Sequence, residues 1–249
     1  MTDLVETSRD GAALCVTIAR PAKKNALTSV MYRALVAALA QASGDETIGA
    51  VLLRGKDGVF TAGNDIADFL ELAGRAEASP GTLFIKALAA FEKPLVAAVE
   101  GPAIGIGTTL CFHCDLVYVA PSARFQMPFV DLGLVPEAAS SLLAPQRFGY
   151  AKAAQFIMLA ESFDAVAARD LGLANAIVEP DALYAHALAK AQALAAKPRN
   201  ALLATRRLLR GDPTILIARI EQEMRLFGEA VRSPEARAAF FAFLQKAKA

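Results

Sequence analysis

The sequence predicts a mixed α/β fold: repeated strand–strand–helix units, then an all-helical C-terminal region. Short apolar runs rich in β-branched residues alternate with segments of helical period up to about residue 179. Glycine-bearing turns join several of these runs to the helices that follow. From Asp181 onward only helical patterns remain. No exact repeat and no low-complexity linker divides the 249 residues, so the chain reads as a core over 1–197 and a helical region over 198–249.

In chain order, residues 4–9 and 12–19 flank Asp10-Gly11, a dipeptide that favours a tight hairpin. Pro21 to Asn25 is a basic, polar loop. Thr28 or Ser29 is placed to cap a helix reaching about Ser43, with Met31, Leu35 and Leu39 on its apolar face. Residues 44–46 break that helix, 50–54 form a buried strand, and Lys56-Asp57-Gly58 turns the chain back into Val59-Phe60. Thr61 to Asp65 is then a turn into a helix over 66–73, with Gly63 inside it and Asp65 at the cap. Residues 74–81, which carry Pro80, read as a surface loop. Phe84, Leu88 and Phe91 lie at i, i+4 and i+7, which makes 82–92 an amphipathic helix.

The chain is organised around residues 92–115. Pro94 to Val99 is a buried strand that ends at Gly101-Pro102, and Gly105-Ile106-Gly107 leads into a mostly apolar helix over 108–113. A helix start leaves its first N–H groups unpaired, and glycines let another molecule approach them. Such termini favour negative charge, although the same glycines serve a tight packing turn equally well. Beyond it, 116–120 is a strand, 124–127 a short segment, and 129–136 irregular. Glu137 opens a helix through Gln146, Asp164 caps a short helix that Gly172 stops, and 176–179 is the last strand. Pro198, Gly211-Asp212-Pro213 and Ser233-Pro234 punctuate the tail. Its apolar residues, Leu208, Leu209, Ile215, Ile217, Phe227, Phe240 and Phe243, exceed what a terminal region buries on its own core, so subunit contact is expected.

Composition excludes several classes. Net charge is +1, from Lys+Arg 26 against Asp+Glu 25, so no global field favours nucleic acid or an anionic membrane. The polar, acid-bearing N-terminus does not resemble a signal or transit peptide, and no apolar run is long enough to span a bilayer. A soluble cytoplasmic protein is expected. Cys111-Phe-His-Cys114 has C-x-x-C spacing, but only Cys15 and His186 remain as further Cys or His ligands, both remote in sequence. Two thiols on an apolar helix are expected as small core side chains, with no metal.

Nucleophilic catalysis lacks support: with only His113 and His186, no serine or cysteine has an evident base, and G-x-S-x-G is absent. Gly105-Ile-Gly107 resembles the front of a dinucleotide fingerprint, but Leu110 stands where the third glycine belongs. What remains is a pair of strand-to-helix turns, around Asn64 and Ile106. Two backbone N–H donors aimed at one oxygen form an oxyanion hole. The carboxylates near the second turn are Glu100, Asp115, Asp131 and Glu137. Asp115 reads as a backbone acceptor at a strand start. Glu137, after Pro136, suits either a catalytic role or a helix-start carboxylate that complements the dipole.

The ordered set Lys24-Asn25-Ala26-Leu27, Phe60-Thr-Ala-Gly-Asn-Asp-Ile66, Lys93-Pro-Leu-Val-Ala-Ala, Gly101-Pro-Ala-Ile-Gly-Ile-Gly107, Cys114-Asp115 and Gly133-Leu-Val-Pro136 resembles the enoyl-CoA hydratase/isomerase (crotonase) superfamily. The resemblance covers nearly the whole chain. It implies a crotonase-like spiral of ββα turns, a C-terminal trimerisation region, and acyl-CoA thioester substrates with no separate cofactor. It also implies a homotrimer or dimer of trimers. It places the oxyanion donors at the N–H groups of Asn64 and Ile106. Substrate contacts carry onto Lys24, Ala26, Ala62, Gly63, Asp65, Ile66 and Gly105, with Phe243 and Lys246 near a neighbour's CoA. Lys23 and Lys24 fall beside the nucleotide end, and residues 66–78 belong to the acyl-pocket wall.

Hydratases of the family carry two glutamates, and the matching positions here are Thr109 and Phe129. The Pro136-Glu137 pair is instead similar to 3,2-enoyl-CoA isomerases, whose single catalytic glutamate falls there. An isomerase using Glu137 is therefore the expected activity. The rivals are a hydratase-like enzyme, an isomerase of ring-epoxide CoA thioesters in aromatic degradation, and a non-enzymatic acyl-CoA-binding protein with a relic pocket. A carboxylate at a helix start has its pKa lowered, whereas an apolar pocket raises it, and the sequence leaves that balance open.

Overall fold

The computed structural model describes residues 4–72 and 79–246. The elements run β1 (Val5–Asp10), β2 (Ala13–Ile18), α1 (Ser29–Gly44), β3 (Ala50–Gly55), α2 (Ile66–Leu72), α3 (Pro80–Ala90), β4 (Leu95–Val99), β5 (Pro102–Ile104) and α4 (Ile106–Thr109). There follow β6 (Leu116–Val119), β7 (Arg124–Gln126), α5 (Ser140–Phe148), α6 (Tyr150–Met158), β8 (Phe163–Asp164), α7 (Ala165–Asp170) and β9 (Ala176–Ile177). Four helices close the chain: α8 (Pro180–Ala195), α9 (Arg199–Arg210), α10 (Pro213–Ala230) and α11 (Pro234–Lys246).

Successive units wind as a spiral, each laying one strand in a large sheet and one short segment in a small layer beside it. The large sheet has the order β1-β2-β3-β4-β6-β9, parallel except for the β1–β2 hairpin. The small layer has β5-β7-β8, extended by bridges from Thr61 to Ala103 and from Leu27 to Asn64. The apolar runs of the central strands are continuous because both faces are covered. Val51 and Leu53 of β3, with Leu95, Ala97 and Val99 of β4, join the main core that includes Met31, Leu35, Phe84 and Leu88. Ala50 and Leu52, with Val96 and Ala98, meet Leu183, Ala187 and Ala191 of α8 on the other face.

Several expectations are corrected here. Pro80 and Gly81 belong to α3, because Ser79 accepts from Thr82 N (3.1 Å) and Pro80 suits the first turn. The rest of the expected 74–81 loop, through residue 78, lies outside the described residues. The Gly101–Gly107 stretch is not one turn: Pro102–Ile104 pairs in parallel with β7 before α4 begins. Glu137 does not open a helix. Helix α5 starts at Ser140, after Ala138 and Ala139 have both taken left-handed φ (59° and 55°). The tail also buries more on its own chain than expected. Leu216, Ile220 and Phe240 enter the main core with Ile217 and Phe227 packed against it, while Leu208, Leu209 and Ile215 stay exposed. No helix among the described residues is long and apolar enough to cross a membrane.

Candidate active site

The two predicted turns lie side by side. Phe60 N donates to Glu100 O (2.7 Å), Thr61 N to Pro102 O (2.9 Å), and Ile104 N to Thr61 O (3.0 Å). These bonds lay the lead-in to α2 along β5. Gly63 has φ +87°, and a Cβ there would stand 2.8 Å from Ile104 O, so only glycine permits the approach. Gly107 is pressed likewise, its would-be Cβ 2.7 Å from Thr61 Cγ2. Gly105 donates to Gln126 O (2.9 Å), tying the second turn to β7. At this junction the N–H groups of Asn64 and Ile106 have no acceptor among the described residues.

The loop before α1 completes this side. Ala62 N donates to Lys24 O (2.9 Å), Leu27 N to Gly63 O (2.8 Å), and Asp65 N to Leu27 O (2.9 Å), which brings Lys24, Ala26, Ala62, Gly63 and Asp65 together. Lys24 is exposed, whereas Asn25 is buried and spent on backbone, donating to Lys56 O and Val59 O and accepting from Arg20 N. The Asp65 carboxylate is occupied too. It pairs with Arg20 (2.7 Å) and caps α2 through Ala67 N and Asp68 N, as its sequence position predicts. Ile66 opens α2, half-buried. The pocket-wall residues 73–78 and the side chains of Phe243 and Lys246 lie outside the described residues.

Glu137 is 5% exposed, and Thr109 Oγ1 donates to its Oε1 at 3.3 Å. Its backbone carbonyl accepts from Ser140 N (3.0 Å) and Ser140 Oγ (2.6 Å). The carboxyl therefore sits three residues ahead of α5, outside the capping position, and the tension left by the sequence resolves toward burial. Desolvation, reinforced by the charge of Glu223 and opposed by the Thr109 hydrogen bond, raises its pKa from 4.5 to about 8. Asp131, another acid the sequence offered, is exposed.

Three participants escape sequence reasoning. Tyr32 of α1 donates its hydroxyl to Asn64 Oδ1 (2.6 Å), and its pKa is pushed well up by burial and then by the charges of Glu137 and Asp68. Glu223 of α10 accepts from Ala139 N (2.6 Å), Ser141 N (3.0 Å) and Ser141 Oγ (2.5 Å). It is the missing cap of α5. His113 Nε2 meets Ala138 O at 2.8 Å, and burial lowers its pKa to about 4, so the ring is neutral and donates through Nε2. Glu223 left a signal: it interrupts the apolar stripe Leu216, Ile220, Phe227 at core spacing.

The remaining polar candidates are structural. Asp115 accepts from Leu95 N (2.7 Å) and pairs with the buried Arg206. The thiols of Cys111 and Cys114 are buried and donate to Gly107 O and Leu110 O of their own helical segment.

Residues 8–249 match the family model described as enoyl-CoA hydratase/isomerase. Rat enoyl-CoA delta isomerase 2 is 33% identical over 86% of this chain, which spans only 56% of that protein's length. The 2,3-dehydroadipyl-CoA hydratase of Escherichia coli K12 is 32% identical over 99% of this chain and 97% of its own. Among solved structures, OdaA of Pseudomonas aeruginosa superposes with a TM-score of 0.94 at 43% identity, covering 97% of this chain and 99% of that one.

Proposed function

The chain belongs to the enoyl-CoA hydratase/isomerase (crotonase) family, and from that premise we propose that it shifts the double bond of a 3-enoyl-CoA thioester to the 2-position. Glu137, as carboxylate, takes a proton from C2. The resulting dienolate carries its charge on the thioester oxygen, where the N–H groups of Asn64 and Ile106 stabilise it. The glutamic acid just formed then returns a proton at C4, and the base is regenerated. No second acid is required, and CoA is part of the substrate rather than a cofactor.

One observation carries this reading. At the position where a two-carboxylate hydratase has an acid, Thr109 stands instead and bonds the buried carboxyl of Glu137. The other such position is the buried Phe129. A pKa of about 8 also suits a group that must both accept and return a proton near neutrality. The residues brought around Lys24 and Gly63 would hold the CoA end, and the exposed leucines of α9 would form a trimer contact.

A second reading, hydration of a 2-enoyl-CoA, draws on the relative named as a hydratase, which this chain matches over nearly its whole length. Both activities are measured on one preparation, with 3-enoyl-CoA and with crotonyl-CoA. Isomerisation should far exceed hydration. Comparable turnover would refute the isomerase reading, and tight acyl-CoA binding with no double-bond shift, hydration or ring isomerisation would leave a binding protein.

A further inference from the structure

We propose that Glu223 is a positioning residue for this reaction: its carboxylate, reaching from α10, clamps the left-handed Ala138-Ala139 turn and so fixes where the Glu137 carboxyl stands. The inference rests on Glu137 being the base. Its ground is geometric. Two consecutive alanines at φ 59° and 55° are strained, and such strain persists only where the surroundings over-determine it. Both are fully buried, and three fastenings hold them. Glu223 takes Ala139 N on Oε2, and Ser141 N and Oγ on Oε1. His113 holds Ala138 O from one side, and Ser140 folds back onto Glu137 O.

A plain helix cap needs no such arrangement. A serine, threonine or aspartate at the N-cap, the position just before Ser140, would satisfy the Ser141 amide locally. Here that position is Ala139, and the acceptor is a carboxylate 4% exposed and 84 residues downstream. Burying an unneutralised carboxylate is costly unless hydrogen bonds compensate it. Arg219, on the same helix, supplies part of the balance by donating to Ser141 Oγ (3.1 Å). Nor does Glu223 replace the missing second acid, since both its oxygens already accept N–H or O–H donors and it has no proton aimed elsewhere.

Among the described residues, the charges around the pair come from α2, α3 and α10, with Asp68 of α2 reaching Tyr32. Glu137 and Arg219 face Glu223, and α3, packed on α10, contributes Lys86, which is paired with Glu221 (2.7 Å). Glu137 itself meets Thr109 from α4 and shares its field with Tyr32 from α1. Glu223 is thus the negative neighbour whose removal Glu137 should register.

The test uses the full chain and its Glu223→Gln, Glu223→Asp and Glu137→Gln variants. It reads kcat and KM with 3-enoyl-CoA, thermal midpoint, and the ¹³C titration of the Glu137 carboxyl, identified by its loss in Glu137→Gln. Glu223→Gln should lower kcat by about 10²-fold, the effect of misplacing a reacting group by an ångström, with KM little changed. Its Glu137 titration should move to lower pH. Glu223→Asp keeps the charge but draws it back by one methylene, so kcat should fall while the titration stays near that of the wild type. It carries the test should the glutamine variant fail to fold. A lowered thermal midpoint with unchanged kcat and titration would reduce Glu223 to a structural cap and overturn the inference. Failure of the underlying reading looks different, because Glu137→Gln itself would then remain active.

Discussion

Replacing Glu137 with glutamine separates catalysis from stability at a single carboxyl. A base must be ionised to act, so kcat/KM should rise with pH and level off above about 8. Stability has the opposite sign. The folded protein keeps a proton that the unfolded chain releases, so this contribution is full below about 4.5 and lost as pH rises through about 8. Glutamine never ionises. Glu137→Gln should therefore match the wild type near pH 4.5 and exceed it above pH 8, by on the order of a few kcal/mol. Its kcat should fall by about 10²–10⁴ while substrate affinity is kept. Thermal midpoints across that range and single-turnover rates check both halves; a near-wild-type rate removes Glu137 from the mechanism. Lys24 offers a second residue-scale test, since its side chain is exposed and its carbonyl holds Ala62 N. Lys24→Glu should weaken binding of acyl-CoA more than of a pantetheine thioester lacking the nucleotide. Equal losses would assign the residue to the loop's structure.

Between the two turns, Gly63 controls how closely the Asn64 and Ile106 amides can converge. Gly63→Ala would force a Cβ to 2.8 Å from Ile104 O at φ +87°, so the turns must part or the backbone must strain. We expect a kcat loss of about 10²-fold, comparable to removing one oxyanion donor, in a protein that still folds. Gly81→Ala is the control. It sits in α3 at ordinary contact with Tyr32 (3.5 Å) and should gain up to about 1 kcal/mol from helix propensity, with kcat unchanged. Equal kinetic losses in both variants would deny Gly63 its special place. The same elements explain what the sequence made legible. The hairpin at Asp10-Gly11, the Thr28 and Asp65 caps and the doubly buried strands follow from local rules and were readable. Strand β5 was not, because three residues between glycines become a strand only through pairing with β7. The start of α5 was misread for the same reason: a Pro-Glu pair suggests a local cap, whereas the actual cap arrives from α10.

Across the whole molecule, the site draws on both ends of the chain. Motif order points to Lys24, Gly63, Asn64 and Ile106, and the fold lays the loop and the two turns that carry them side by side. Tyr32 was missed because it is a polar tip on an otherwise apolar helix face, and Glu223 because the amides it accepts lie 84 and 82 residues away. This bears on how assembly should be tested. Deleting everything after Lys197 would remove Leu216, Ile220 and Phe240 from the core and Glu223 from the Ala138-Ala139 turn, so loss of a trimer would say nothing about subunit contact. The informative residues are those the tail leaves outside. Leu208 and Leu209 of α9 are 85% and 83% exposed, adjacent apolar side chains outside the core formed by the described residues. If α9 forms the contact between subunits, Leu208→Glu with Leu209→Glu should bury two charges there and dissociate the assembly. The thermal transition of the isolated subunit should remain cooperative, because neither leucine supports the fold. Light scattering coupled to size exclusion decides the matter. A wild-type trimer that becomes a folded monomer supports α9 as the interface, a variant that stays trimeric moves the interface elsewhere, and a monomeric wild type removes the assembly proposal altogether.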